Sequence, residues 1–165
     1  MEYKTNLKKF KLVEAQKDDC EKILELIFSI AEYEKMTDMV TATKESLYES
    51  LFVERKASVL LAYEEEKIIG YMLYFFNFST FTGRANLYLE DLFIYEQYRH
   101  KGYGKEMLRV LARIALDNNA KRIDWVCLNW NQPSLDFYKS LGADALDCWV
   151  LHRLEEDKIK KLAEK

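Results

Sequence analysis

One stretch limits the folds open to this chain more than any other: Tyr88-Leu-Glu-Asp-Leu-Phe-Ile94 followed by Tyr95-Glu-Gln-Tyr-Arg-His-Lys-Gly-Tyr-Gly-Lys105. The first part reads as an apolar strand, the second as a tight basic turn with two glycines that opens directly into a helix. Such a junction leaves several backbone N–H groups unpaired and pointing one way, at the positive end of the helix dipole, and so forms an anion cradle. Arg99, Gly102 and Gly104 are spaced R-x-x-G-x-G, which lets the backbone close on a diphosphate with no Cβ in the way. Arg99, His100, Lys101 and Lys105 add charge, and the ligand that fits is a phosphorylated cofactor. A glycine pair in a turn equally fits an ordinary connection with a basic solvated face. The lack of a third glycine argues against a dinucleotide-binding G-x-G-x-x-G.

The rest of the chain narrows the choice. Its 165 residues suit one domain, 1–165, with a substantial core. A net charge of −3 argues against nucleic acid as the main partner and favours small cationic molecules. Cys20, Cys127 and Cys148 are odd in number and lack C-x-x-C spacing, as expected of reduced thiols in a cytoplasmic protein. No run approaches the length of a membrane span, so no membrane partner is expected. Two histidines without ligand spacing give a metal nothing to bind.

Read in order, residues 1 to 8 look like a loose start and Phe10 to Val13 a first strand. Ile23, Leu24, Ile27, Ile30 and Ala31 recur at helical spacing, predicting an amphipathic helix from Cys20 to Tyr33 behind an Asp18-Asp19 cap. A shorter helix over Lys44 to Phe52 is capped by Thr43. Ser58 to Tyr63, Ile68 to Phe78 and Arg84 to Tyr95 form an antiparallel meander, the last strand delivering the chain into the glycine turn. Gly104 to Asp117 is a helix. Lys121 to Leu128 is a strand that should lie parallel to the one ending at Ile94. A helix begun at Pro133 stops at Gly142, Ala145 to Arg153 is a last strand, and Leu154 to Lys165 a tail helix. The fold class is α/β with a mixed, mostly antiparallel sheet flanked by helices. A cleft is expected where the two parallel strands splay, with the glycine turn as one lip and Asn129 to Ser134 as the other.

The glycine turn, together with Asn131-x-Pro133-Ser134-x-x-x-Tyr138-Lys139-x-x-Gly142, resembles the GNAT superfamily of acetyl-CoA-dependent N-acetyltransferases. Tyr88-Leu-Glu-Asp91, Tyr98-Arg99, Trp130-Asn131 and Phe137-Tyr-Lys139 bring it nearer to the diamine (spermidine/spermine) acetyltransferases and their thialysine N-acetyltransferase relatives, and Ala31-Glu-Tyr-Glu-Lys-Met36 looks like that group's substrate loop. The resemblance implies a GNAT-type fold, acetyl-CoA as donor and a homodimer with the terminal strand and Trp149 at the contact. It also implies that the pyrophosphate sits on the N–H groups of His100, Lys101, Gly102, Tyr103, Gly104 and Lys105. The pantetheine arm would pair with Leu92, Phe93 and Ile94, and Asn131, Ser134 and Tyr138 would complete the cofactor site.

Acetyl transfer to an amine needs a neutral nitrogen, and an alkyl amine with a pKa of about 10.4 is cationic near neutral pH. Glu90 is the base that the resemblance assigns. Adjacent strand residues point to opposite faces, so only one of Glu90 and Asp91 is expected to face the cleft. Tyr138, four residues after Ser134 on the same helix, is the acid that the resemblance assigns to the departing thiolate. An N–H near Phe93 or Ile94, released by a bulge, would meet the oxyanion. Tyr33, Glu34, Glu90, Asp91, Asp124, Trp125, Val126, Asp147 and Trp149 are candidates to line an acidic, aromatic acceptor channel. Lys35 after Glu34, and Asn129 and Gln132 around Trp130-Asn131, are similar to the thialysine branch, which puts a small amino acid with a side-chain amine ahead of spermidine and spermine. A protein lysine or N-terminal acetyltransferase and a non-catalytic acyl-CoA sensor remain as alternatives.

Overall fold

The computed structural model describes residues 1–164, which form two compact units, Met1–Val126 and Cys127 onward. In the first unit, six strands lie in sequence order: β1 (Glu2–Lys4), β2 (Phe10–Glu14), β3 (Ser58–Glu64), β4 (Lys67–Ser79), β5 (Arg84–Ile94) and β6 (Ile123–Asp124). All neighbours are antiparallel except β5 and β6, which run parallel. The meander and the parallel crossover are therefore as the alternation of apolar and turn residues predicts. The start of the chain is not loose: Glu2 to Lys4 pair with Lys11 to Val13, so that the first residues cover the edge of β2.

Helix α1 (Cys20–Glu34) buries Ile23, Leu26 and Ala31, and ends at Lys35 in the left-handed region. Helix α2 (Lys44–Tyr48) starts at Thr43, whose hydroxyl accepts from the Ser46 N–H while the Ser46 hydroxyl accepts from the Thr43 N–H; from Glu49 to Val53 it widens into a π turn. Helix α3 (Tyr103–Asp117) lays Met107, Val110, Leu111, Ile114 and Ala115 along one stripe. The stripe packs on one face of the sheet, against Leu60, Met72, Leu87 and Leu89. On the other face, Ile23 and Leu26 of α1 and Leu47 of α2 pack with Leu61, Tyr71 and Phe93. Each fully buried aliphatic contributes about 1.5–3 kcal/mol.

Two irregularities set which residues reach which face. Ala62 pairs with Gly70 but Tyr63 with Ile68, so Ile69 is extra in β4; Leu73 pairs with Asp91 but Tyr74 with Leu89, so Glu90 is extra in β5. Each bulge reverses the alternation beyond it. Hence Leu87 and Leu89, then Leu92 and Ile94, all belong to the α3 face, while Phe93 belongs to the α1 face.

The second strand after the glycine turn is shorter than expected. Only Ile123 and Asp124 of Lys121 to Leu128 pair in register with β5, and the ladder ends at Asp124. In the second unit, α4 (Gln132–Ser140) carries Pro133 in its first turn and α5 is Glu156–Ala163. The strand expected over Ala145 to Arg153 is absent among the described residues. That segment is irregular and leaves Leu146, Trp149, Val150 and Leu151 exposed, having no neighbouring strand to complete its hydrogen bonds.

Candidate active site

The turn before α3 brings backbone amides to an open end. His100 and Gly102 both take the left-handed conformation, at φ 62° and 83°, a form that glycine adopts without strain. The first hydrogen bond of α3 runs from the Glu106 N–H to the Gly102 carbonyl at 3.1 Å, so the amides of Tyr103, Gly104 and Lys105 emerge at the helix end with no intrahelical acceptor. Tyr103 and Lys101 hold the turn in place. The Tyr103 hydroxyl donates to Glu64, the Lys101 ammonium pairs with Glu64 at 2.9 Å, and the Tyr103 ring stacks on Phe10 with centroids 4.4 Å apart. Burial, helped by the bond to Glu64, pushes the Tyr103 phenol up to about 12. The Lys101 charge is thus directed at Glu64. Arg99 is occupied too, its Nε donating to the Ile94 carbonyl at 2.9 Å and its guanidinium lying 4.6 Å from the Tyr33 ring centre and 5.9 Å from that of Phe93.

The edge of β5 next to the turn is open. The β5–β6 ladder ends at Tyr88–Asp124, and Leu89 to Ile94 run past that last rung. The Tyr95 N–H bonds to Ile69 of β4 at 3.0 Å, so by alternation the polar groups of Leu92 and Ile94 face away from β4, toward the open edge. The bulge lies at Glu90 rather than near Phe93, and the free amides come from the shortness of β6.

The bulge also overturns the expectation that Glu90 and Asp91 face opposite ways. Leu89 sits in the α3-face core. Asp91 accepts a hydrogen bond from Tyr71 on the α1 face at 2.8 Å, and the charge of Glu90 acts on Asp91, Tyr71 and Tyr88. Both carboxylates therefore share the α1 face, where Glu34, at the end of α1, joins them. Burial pushes the Asp91 carboxyl up and Glu90 adds to the shift, with the Tyr71 bond pulling the other way; burial and then Asp91 push up that of Glu34. Glu90 is exposed and makes no hydrogen bond or ion pair among the described residues. The result is a crowded acidic patch beside the Tyr33 ring, with a cation-seeking potential.

Asp124 reaches the same neighbourhood through Tyr88, whose phenol is pushed up by burial, Glu90 and Asp124. Trp125 packs instead against the core beneath α3, and Val126 is exposed. In the second unit the Asn131 side chain accepts from the Ser134 N–H at 3.4 Å, capping α4, and Ser134 and Tyr138 lie one turn apart, both half-buried. Asp147 and Trp149 are exposed. Two residues of the site escaped the sequence. Tyr71 sits unremarked in an aromatic run, where the only signal is that a buried tyrosine needs a partner for its hydroxyl. Glu64 looks like part of a charged hairpin.

An open strand edge running into a helix N-terminus, with carboxylates behind it, defines the class: the family model described as Acetyltransferase (GNAT) family matches residues 18–143, and the chain belongs to that family. It is an amine N-acetyltransferase. Among curated proteins it is 37% identical to a thialysine N-epsilon-acetyltransferase of Bos taurus, over 92% of this chain and 96% of that one. It is 30% identical to spermidine/spermine N(1)-acetyltransferase-like protein 1 of Homo sapiens, over 96% of this chain but 24% of the larger protein. Among solved structures, an integron cassette protein from the mobile metagenome of V. cholerae superposes with a TM-score of 0.79 at 26% identity, over 95% of this chain and 99% of that one.

Proposed function

We propose that this protein moves the acetyl group of acetyl-CoA directly to the primary amine of a small cationic acceptor, a lysine-like or thialysine-like amino acid ahead of spermidine and spermine. Bound acetyl-CoA supplies the thioester. Its diphosphate suits the amides of Tyr103, Gly104 and Lys105, and its pantetheine arm suits the open-edge groups of Leu92 and the Ile94 N–H, the Ile94 carbonyl being held by Arg99. The observation that carries the reading is the bulge, which brings Glu90 and Asp91 to the one face of that strand where Glu34 ends α1.

Each role follows from the groups. Asp91 and Glu34 draw in the ammonium of the acceptor, beside a Tyr33 ring that already carries the Arg99 guanidinium. Glu90, exposed and unpaired, takes the proton that keeps the amine from attacking, directly or through water. An open-edge amide of β5 donates to the carbonyl oxygen as charge grows on it. On the resemblance, Tyr138 returns a proton to a thiolate whose conjugate acid lies near 8.5. Lys35 after Glu34, with Asn129 and Gln132 about Trp130, supports the amino-acid acceptor over a polycation. Three cysteines without C-x-x-C spacing support a cytoplasmic setting, and the exposed Trp149, Val150 and Leu151 support a homodimer.

The test is release of free thiol from acetyl-CoA with thialysine, lysine, spermidine or a lysine peptide as acceptor. The expected order of kcat/KM is thialysine, then spermidine, then peptide. CoA binding without turnover of any acceptor would make the protein a sensor.

A further inference from the structure

Tyr71 stands in the middle of the acceptor face and has no place in the roles above. Its side chain is fully buried in the α1-face core, pairing across the strands with Phe93. A phenol there cannot reach water, so its hydroxyl is costly unless an acceptor is supplied. The acceptor is Asp91 Oδ2, at 2.8 Å. Two bulges make this meeting possible: the one at Ile69 turns Tyr71 to the α1 face, and the one at Glu90 turns Asp91 to the same side. With Oδ2 taken, the carboxylate is fixed in rotation and Oδ1 is left without a partner among the described residues.

We propose that Tyr71 is a positioning residue for the acceptor: its hydroxyl pins the Asp91 carboxylate, so that Oδ1 anchors the acceptor ammonium while Glu90 stays free to remove a proton. The groups facing Asp91 are Tyr71 from β4, Glu90 from β5 and Glu34 from the end of α1, with the Arg99 guanidinium nearby over Phe93 and Tyr33. Two of these neighbours are carboxylates that oppose ionisation of Asp91. The phenolic donor is the group that favours it. This inference rests on the reading of the α1 face as the acceptor site.

The sign follows. Donation to Oδ2 stabilises the charged carboxylate, so removing it raises the pH at which Asp91 ionises. In the Tyr71→Phe protein, KM for thialysine at pH 7.5 should rise about tenfold, and the acidic limb of kcat/KM for the amine should move to higher pH. KM for acetyl-CoA should stay at its wild-type value. Combining Tyr71→Phe with Asp91→Asn should cost no more than Asp91→Asn alone, since both act through one carboxylate. If Tyr71→Phe folds poorly, the phenol carbon of Tyr71, observed by NMR in wild-type protein, should still shift when thialysine saturates the site. An unmoved acidic limb with both KM values unchanged overturns the proposal. So does a melting temperature that falls while the limb stays put, or a phenol signal indifferent to thialysine. Wild-type turnover separates the two failures: without it the acceptor-site reading is at fault, and with it and an unmoved limb Tyr71 alone is.

Discussion

The two halves of the site in the first unit are made of different material. The glycine turn works through its backbone: amides at the start of α3, with left-handed His100 and Gly102. The proposed acceptor face is made of side chains, three carboxylates and two tyrosine rings, with Glu90 and Asp91 brought to one side by a single extra residue in β5. Backbone devices leave a mark in sequence because only certain residues tolerate their geometry. A bulge leaves none here, since Glu90 looks like any polar residue of a strand.

The largest expected effect comes from removing that extra residue. Deleting Glu90 leaves a regular pleat in which Asp91 follows Leu89 directly and stays opposite Leu73 on the α1 face, so the core keeps its faces and one carboxylate is lost. Thermal melting should therefore change little, while kcat/KM for thialysine near pH 7 falls by about 10²–10⁴-fold. The turn answers to a different change. Gly102→Val places a β-branched residue at φ 83°, at about 1–2 kcal/mol. KM for acetyl-CoA should rise about tenfold, with KM for the amine little changed.

Asp91→Asn weighs the carboxylates against stability. The folded protein holds the Asp91 proton more tightly than the unfolded chain does. Its contribution to stability is therefore present at low pH and is lost as pH rises through the folded value. The neutral variant should melt a few degrees higher at pH 7.5 while binding the amine less well, and the gap should close below the ordinary carboxylate value of about 3.9. The smallest effect is assigned to Lys101→Ala. Its ammonium pairs with Glu64 near the surface, an interaction of about 0–1 kcal/mol, so KM for acetyl-CoA should change by less than about fivefold.

The same contrast explains what the sequence could and could not tell. Helices α1 and α3, the meander and the glycine turn that opens α3 are legible from periodicity and from Gly102, because each rests on local geometry. The pairing of Glu2 to Lys4 with β2, the early end of β6 after Asp124 and the irregular path from Ala145 to Arg153 depend on what lies alongside, which local pattern does not encode. Lys101 and Arg99 were read as ligands for an anion by their charge; Glu64, Tyr33 and the Ile94 carbonyl, distant in sequence, claim them in the structure. Strict alternation forced a choice between Glu90 and Asp91 that the bulge removes.

The account depends most on Glu90 removing the amine proton, and kcat/KM for thialysine as a function of pH, in wild type and Glu90→Gln, tests it most directly. The variant should be slower by about 10²–10⁴-fold near pH 7. Its residual rate should climb steadily as the free amine grows toward pH 10, where the two enzymes approach each other. A Glu90→Gln protein that keeps the wild-type rate and the wild-type profile would contradict it.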